Sequence, residues 1–330
     1  MNKPHNMSST GPWLTVRAER FAENPLIRPE MLAGTDSENI NGPCLLRVPP
    51  WVARPLAKYY LYFAHHGGAY IRLATADDLH GPWTIRPGGV LHKSALAMDV
   101  HHVASPEILV DDRARQIRMY FHVAARDKAQ LTFAGPHRDA GWSGQTTHVA
   151  LSGDGLTFEP QTPVLAPFYL RVFRRGGSVY GVAKPGNGMV LCRSRDGLTT
   201  FERGPEFLGR TRHVALWPEG DALWIFFSQI GDAPERILLT RLEMAGDWTR
   251  WPDSLREPVE VLAPETPYEG AGFANAPSVP SAGVNVRQVR DPFVHVEGGR
   301  MTLFYSVAGE AGIAAADLTF DPPAAGPRLA

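Results

Sequence analysis

Residues 147–160 read THVALSGDGLTFEP, and residues 188–204 read GMVLCRSRDGLTTFERG. In both, an apolar run meets an Asp-Gly pair and then an aromatic residue, Phe158 or Phe201. An Asp heading such a turn folds back on its own backbone, the Gly takes positive φ, and the aromatic is left to pack. Asp154 and Asp196 are therefore read as turn residues rather than catalytic acids. Two copies in step indicate a repeating unit. Upstream of the first stand SPEILVDD (105–112) and QIRMYFHVA (116–124). Upstream of the second stand FYLRVFRRGG (168–177) and SVYGVAK (178–184). The same order returns before them as PCLLRVPPW, KYYLYFAHH and AYIRLATADDLHGPWTI, within residues 43–85. It returns after them as RHVALWPEGD, ALWIFFSQIG and RILLTRLEMAGDWTRW (212–251) and as RDPFVHVEGG, RMTLFYSVAG and AGIAAADLTF (290–320).

Five copies of a strand-rich unit predict an all-β chain, a five-bladed β-propeller with four-stranded antiparallel blades around a central funnel. The blades are expected at about 41–90, 103–160, 163–204, 210–251 and 288–320, in one domain over residues 1–330, with 252–287 as an insertion. Residues 1–40 are expected to supply a strand that closes the last blade and removes an exposed edge. The final stretch, PPAAGPRLA (322–330), reads as a frayed end.

Composition narrows the partners. The chain is 44% hydrophobic and 20% charged, an ordinary globular balance. Its formal net charge is -1 and it has no Lys/Arg-rich block, which argues against nucleic acid. Cys44 and Cys192 both lie in apolar runs and read as core thiols rather than a disulfide pair. The N-terminal stretch lacks the apolar segment of a secretory signal, and no run is long enough to span a bilayer. A cytoplasmic protein without a membrane partner is expected; the oligomeric state is left open.

In a propeller the first strand of each blade lines the channel, and the second strand returns to the same end. The repeat phase then brings Asn41, Glu107, Tyr169, Arg171, Arg212, His213 and Asp291 to one mouth. With them come His65, His66, His122, Lys184, Ser228, Gln229 and Ser306. Randomly scattered surface polarity would not be phased in this way.

KYYLYFAHH, VHHVASPEI, RDPFVHVEGGRMTLFYSVAGEAGIAAADL and PYEG (267–270) resemble the five-bladed propeller glycosidases. These are the arabinanase/xylosidase-like enzymes of glycoside hydrolase family 43, with their invertase-like and mannoside-phosphorylase relatives. The likeness covers about residues 40–320 as blade pattern. It implies carboxylates from different blades acting as acid and base on an oxocarbenium-like transition state. On the matching phrases it implies catalytic roles for Glu107 and Asp291, and further acids at Glu269, Glu38 or Asp36. The first-blade phrase INGPCLL carries Asn41 where the family presents an Asp, and an amide cannot serve as a base.

The expected activity is exo-acting hydrolysis of a small oligosaccharide or glycoside, with Asn41, His65, His66, His102, His122, Tyr169, Arg171, His213 and Arg290 binding the sugar. No cofactor is required by that reading. The many histidines allow a second one, a divalent metal in the channel held by some of His66, His102, His122, His148 and His213. That alternative is a metal-assisted lyase or a glycoside phosphorylase using the His/Arg-rich funnel. A third is a non-catalytic carbohydrate-binding propeller.

Overall fold

A computed structural model describes residues 12–127, 144–281 and 283–321. The fold is all-β apart from short 3-10 turns. The first sheet is β2 (Asn41–Arg47), β3 (Tyr59–Ala64), β4 (Tyr70–Ala76) and β5 (Thr84–His92). The second holds β6 (Val100–Asp111), β7 (Gln116–Ala125), β8 (Gln145–Ser152) and the short β9 (Glu159–Pro160). The third holds β10 (Ala166–Arg175), β11 (Ser178–Lys184), β12 (Met189–Ser194) and β13 (Glu202–Phe207). Two residue pairs between β8 and β10 join the second and third sheets into one eight-stranded path. The fourth sheet is β14 (Thr211–Glu219), β15 (Ala222–Gln229), β16 (Ile237–Glu243) and β17 (Val259–Leu262). The last is β18 (Arg290–Glu297), β19 (Arg300–Ser306), β20 (Ile313–Asp321) and, paired outside β20, the N-terminal β1 (Thr15–Arg20). β1 thus closes the last sheet, as the position of the N-terminal segment suggested. One expectation needs correcting: β17 lies inside the segment 252–287 that was read as an insertion, and it is the outer strand of the fourth sheet. Its short VEVL run was too brief to register as a strand. The C-terminal stretch 322–330 lies outside the described residues.

The apolar strands follow from burial on both faces. Successive side chains on a strand point to opposite faces. On β3, Tyr60 and Tyr62 pack with Met119 and Phe121 of the second sheet, while Tyr59, Leu61 and Phe63 pack with Phe304 of the last. On β7, Tyr120 faces the third sheet with Val172 and Val179. On β15, Ile225 and Phe227 face the third sheet, and Trp224 and Phe226 face the last. The last sheet repeats the rule, with Leu303 and Tyr305 toward the fourth and Phe304 toward the first. Each core is shared by two neighbouring sheets, and the inner strands β2, β6, β10, β14 and β18 touch in cyclic order. No sheet could bury its faces alone.

The Asp-Gly turns are built as expected. Asp154 Oδ1 accepts from the Leu156 and Thr157 amides at 2.8 and 3.0 Å, and Asp196 Oδ1 accepts from those of Leu198 and Thr199 at 2.8 and 3.1 Å. Gly155 and Gly197 have φ of 75° and 74°. Each turn is also clasped from the preceding sheet. Tyr62 donates its hydroxyl to the Gly155 carbonyl at 2.8 Å, and Tyr120 to that of Gly197 at 3.0 Å. A Cβ at either glycine would crowd that hydroxyl.

Asp196 accepts bonds from backbone and from Ser194 and Thr199, so Asp196→Ala removes several at once. The expected cost is about 1–2 kcal/mol, read as a lower denaturant midpoint with unchanged slope. An unchanged midpoint would show that the turn contributes nothing.

Candidate functional site at the channel mouth

Every inner strand carries one extra residue at the same level. The register runs Asn41↔Ala64 then Cys44↔Tyr62, and Ala104↔His122 then Glu107↔Tyr120. It continues Phe168↔Lys184 then Arg171↔Val182, Thr211↔Gln229 then Val214↔Phe227, and Arg290↔Ser306 then Phe293↔Phe304. Two residues on the inner strand oppose one on its partner each time, a β-bulge that bends the strand and re-aims its side chains. The extra residues are Gly42, Ser105, Tyr169, Arg212 and Asp291, each with the residue after it. Four of them take positive φ: Gly42 at 61°, Ser105 at 49°, Tyr169 at 56° and Asp291 at 54°. That conformation costs a non-glycine residue, and it persists where the surrounding structure enforces it. Proline follows at positions 43, 106 and 292, where a bulge leaves no ladder bond to lose.

Asp291 is equivalent in register to Gly42 and Ser105, so Gly42, and not Asn41, is the first sheet's counterpart of Asp291. Glu107 is equivalent to Cys44 and Arg171 and lies one level below the bulges.

Above the bulges is a pocket of about 330 Å³. Rings from four sheets form an arc around it. His66 follows β3, His102 is on β6, His122 on β7, Tyr169 on β10 and His213 on β14. Successive ring centroids lie 6.3, 5.6, 4.7 and 3.9 Å apart. Burial holds His102 down to about 4, with the charge of His66 adding to it, and pushes His122 and His213 well below the ordinary histidine range. These three imidazoles are neutral at physiological pH. Burial raises the Tyr169 hydroxyl to about 12, helped by Glu310. Gln145, Asn187 and Lys184 complete the polar wall, together with Arg212.

Among the described residues the carboxylate in the wall is Glu310, which the sequence reading did not single out. It follows β19, and it is 2% exposed. Asn39 and Asn41 donate to its Oε2 at 2.6 and 2.9 Å, and Arg290 donates to Oε1 at 3.3 Å. His66 Nδ1 stands 3.6 Å away. Burial alone would raise its pKa, but the His66 contact, the Arg290 charge and the Asn39 amide outweigh it and hold the group at about 2. Asn41 of the first sheet thus donates to an acid of the last. The phase of the second strands ends at Ser306, and Glu310 stands four residues past it, in a Gly-Glu-Ala-Gly turn.

The other acids lie elsewhere. Glu107 does not line the pocket; its Oε2 is 3.7 Å from Arg171 and 3.9 Å from Cys44 Sγ, and the Val172 amide is 3.4 Å from Oε1. Burial raises it to about 7 against the pull of Arg171. Arg171, also below the pocket, donates to the Ser105 and Pro106 carbonyls at 3.3 and 2.9 Å and so holds the β6 bulge. Glu269 is fully buried away from the mouth. It accepts from Arg20 Nε and the Tyr305 hydroxyl, both at 2.8 Å, and from the Glu265 and Thr266 amides in a capping box. Asp36 meets the Tyr70 hydroxyl, and Glu38 is exposed on the turn before β2. Asp291 sits behind the wall, where Oδ2 accepts from the Ser306 hydroxyl at 2.9 Å and Oδ1 lies against His213 Nδ1.

Of the expected sugar ligands, Asn41, His66, His102, His122, Tyr169 and His213 do line the pocket, while His65, Arg171 and Arg290 do not. His65 Nδ1 accepts from the Gly67 amide, and Arg290 stands behind Glu310. Among the described residues no three His, Cys, Asp or Glu side chains are grouped to hold a metal ion. His148 packs against Phe121 and Thr146, and His213 is turned to Asp291, so the five histidines proposed as a metal set do not converge. Arg212, whose guanidinium binds Glu235 at 2.7 and 2.9 Å, also donates to the Val279 and Pro280 carbonyls and pins that segment to the pocket wall. Glu235, fully buried, was also missed.

A carboxyl whose pKa is raised by folding binds more protons folded than unfolded, so stability falls as pH rises through that window. Wild type is expected to lose stability between about pH 4.5 and 7 relative to Glu107→Gln, read from denaturation midpoints of both proteins. Parallel curves would show that Glu107 is not the buried acid described.

No protein-family model matches the chain. The uncharacterized protein R118 of Acanthamoeba polyphaga mimivirus is 33% identical over 335 residues, which span 91% of this chain and 89% of its own. Among solved structures, an α-L-arabinofuranosidase from Lactobacillus brevis superposes with a TM-score of 0.60 at 12% identity, covering 90% of this chain and 92% of its own. A β-1,2-mannobiose phosphorylase from Listeria innocua, in complex with β-1,2-mannobiose, superposes with a TM-score of 0.60 at 16% identity, covering 91% and 96%. At those identities the likeness is one of fold. No helix among the described residues is long and apolar enough to cross a membrane.

Proposed function

The chain belongs to one family with the mimivirus protein R118, and we propose that it is an enzyme that hydrolyses the glycosidic bond of a small carbohydrate in the mouth pocket. In this reading the five sheets are the blades of one five-bladed propeller, and the pocket is the funnel at one end of its channel. The observation that carries the proposal is the ionised Glu310 in the pocket wall, with neutral hydrogen-bonding groups around it. Glycoside cleavage builds positive charge at the anomeric carbon, and a fixed carboxylate beside it stabilises that charge. Neutral imidazoles, amides and a tyrosyl hydroxyl both donate and accept, which suits sugar hydroxyls. The rings of Phe168 and Tyr169 give apolar area for a sugar face. A volume of about 330 Å³ is at the small end for ligand pockets, which favours one terminal sugar and exo action. That the neighbouring folds include an arabinofuranosidase and a phosphorylase supports a sugar substrate.

One feature favours phosphorolysis as the second reading. Lys184 is buried in the wall, its Nζ donates to the Thr211 carbonyl, and among the described residues it makes no ion pair. An ammonium so placed could hold a phosphate co-substrate.

The test is a panel of aryl arabinosides, xylosides, galactosides and mannosides, with and without inorganic phosphate. Wild type is expected to cleave at least one without phosphate, and Glu310→Gln to lose turnover by about 10³-fold with its fold retained. An absolute phosphate requirement would replace hydrolysis with phosphorolysis. Equal turnover by Glu310→Gln would remove Glu310 from the mechanism, and tight sugar binding without turnover would make the protein a binding module.

A further inference from the structure

The two-carboxylate scheme needs a second group in the pocket, and among the described residues no second carboxylate lines it. Glu107 lies below the bulges, and Glu235 is engaged by Arg212 and by the Ser228 hydroxyl at 2.7 Å. Asp291 reaches the pocket only through His213. The bulge turns Asp291 back from the channel at φ 54°, and β14's bulge places His213 beside it. Asp291 is 1% exposed and held from its other oxygen by Ser306. His213 lines the pocket, its ring edge against Tyr169. Among the described residues its buried Nε2 has no hydrogen-bond partner, and its Nδ1 has only the close contact with Asp291 Oδ1. A buried polar atom without a partner is costly and calls for an explanation, which a ligand would supply.

We infer that His213 is the base of this pocket and that Asp291 positions it. A carboxylate at Nδ1 keeps the proton on that nitrogen and leaves the Nε2 lone pair for the substrate side. In the step, Nε2 takes a proton from water while the water oxygen forms its bond to the anomeric carbon. The glycosidic C–O bond breaks with its electron pair on the leaving oxygen. That oxygen takes a proton from the Lys184 ammonium, which lines the same pocket. Proton exchange through solvent returns the imidazole and the ammonium to their starting states. Asp291 stabilises the imidazolium formed on the way, and Glu310 the charge on the sugar ring. The inference rests on the hydrolytic reading.

The experiment has two readouts on the full chain. Long-range ¹H–¹⁵N spectra report which ring nitrogen of His213 carries the proton, without any substrate. Wild type is expected to show the Nδ1–H form. In Asp291→Asn the Ser306 hydroxyl claims the amide oxygen, the NH₂ faces His213, and the Nε2–H form is expected. Asn also tolerates positive φ, so the bulge is kept. In the glycoside assay, His213→Gln and Asp291→Asn are each expected to lower kcat by about 10²–10⁴-fold with little change in KM. The same tautomer in wild type and Asp291→Asn would overturn the positioning. Turnover of His213→Gln within threefold of an active wild type would overturn the base while leaving the hydrolytic reading intact. A wild type that cleaves no glycoside would overturn that reading and the base role with it.

Discussion

The mouth of this protein depends on one extra residue in each of five inner strands. Regular antiparallel strands would alternate their side chains between the two sheet faces, and both faces are taken by the cores between sheets. A side chain is aimed at the pocket where the alternation is broken. The bulges break it at one level all round the ring, and the positive φ at Ser105, Tyr169 and Asp291 is the local cost. The cost is met by the closed arrangement around it: Arg171 holds the carbonyls of Ser105 and Pro106, and Ser306 holds Asp291.

Charge is laid out by depth. Among the described residues four buried carboxylates each have an arginine: Glu310 with Arg290, Glu235 with Arg212, Glu107 with Arg171 and Glu269 with Arg20. Burying an ion pair is rarely a source of stability, and its better-attested uses lie in specificity. Here the arginines serve as struts. Arg212 and Arg290 reach past their carboxylates to the carbonyls of Val279, Pro280 and Gly283, tying the segment that overhangs the pocket to the acids within it. The same burial gives opposite outcomes for two acids. Glu310, with amide and arginine donors at bonding distance, is held at about 2; Glu107, with contacts of 3.4 Å and beyond, rises to about 7. Unlike environments separate protonation states that composition alone would leave equal.

How much of this was legible differs by residue. The phase of the repeat brought Asn41, His66, His102, His122, Tyr169 and His213 to one pocket, because strand ends are set by local pattern. It failed where the chain leaves the strand. Glu310 sits in a turn past β19, and no periodicity says which way a turn residue points. Glu269 carried a suggestive phrase, yet it caps a 3-10 turn, because four donors closer in space than the pocket claimed it. β17 was hidden by its length, four residues whose pairing with β16 is decided by the partner strand.

By itself the sequence determined the all-β character, the turns and the two-faced burial of the strands. Those follow from alternation and turn chemistry within a few residues of each other. It also determined that polar groups gather at one end, since five copies share one phase. Only the tertiary structure decided which acid faces the pocket. A bulge shifts the register by one residue and so exchanges the direction of every side chain beyond it. An acid's ionisation is set by donors from other sheets: Asn41 from the first and Glu310 from the last are 269 residues apart in the chain and 2.9 Å apart in the fold.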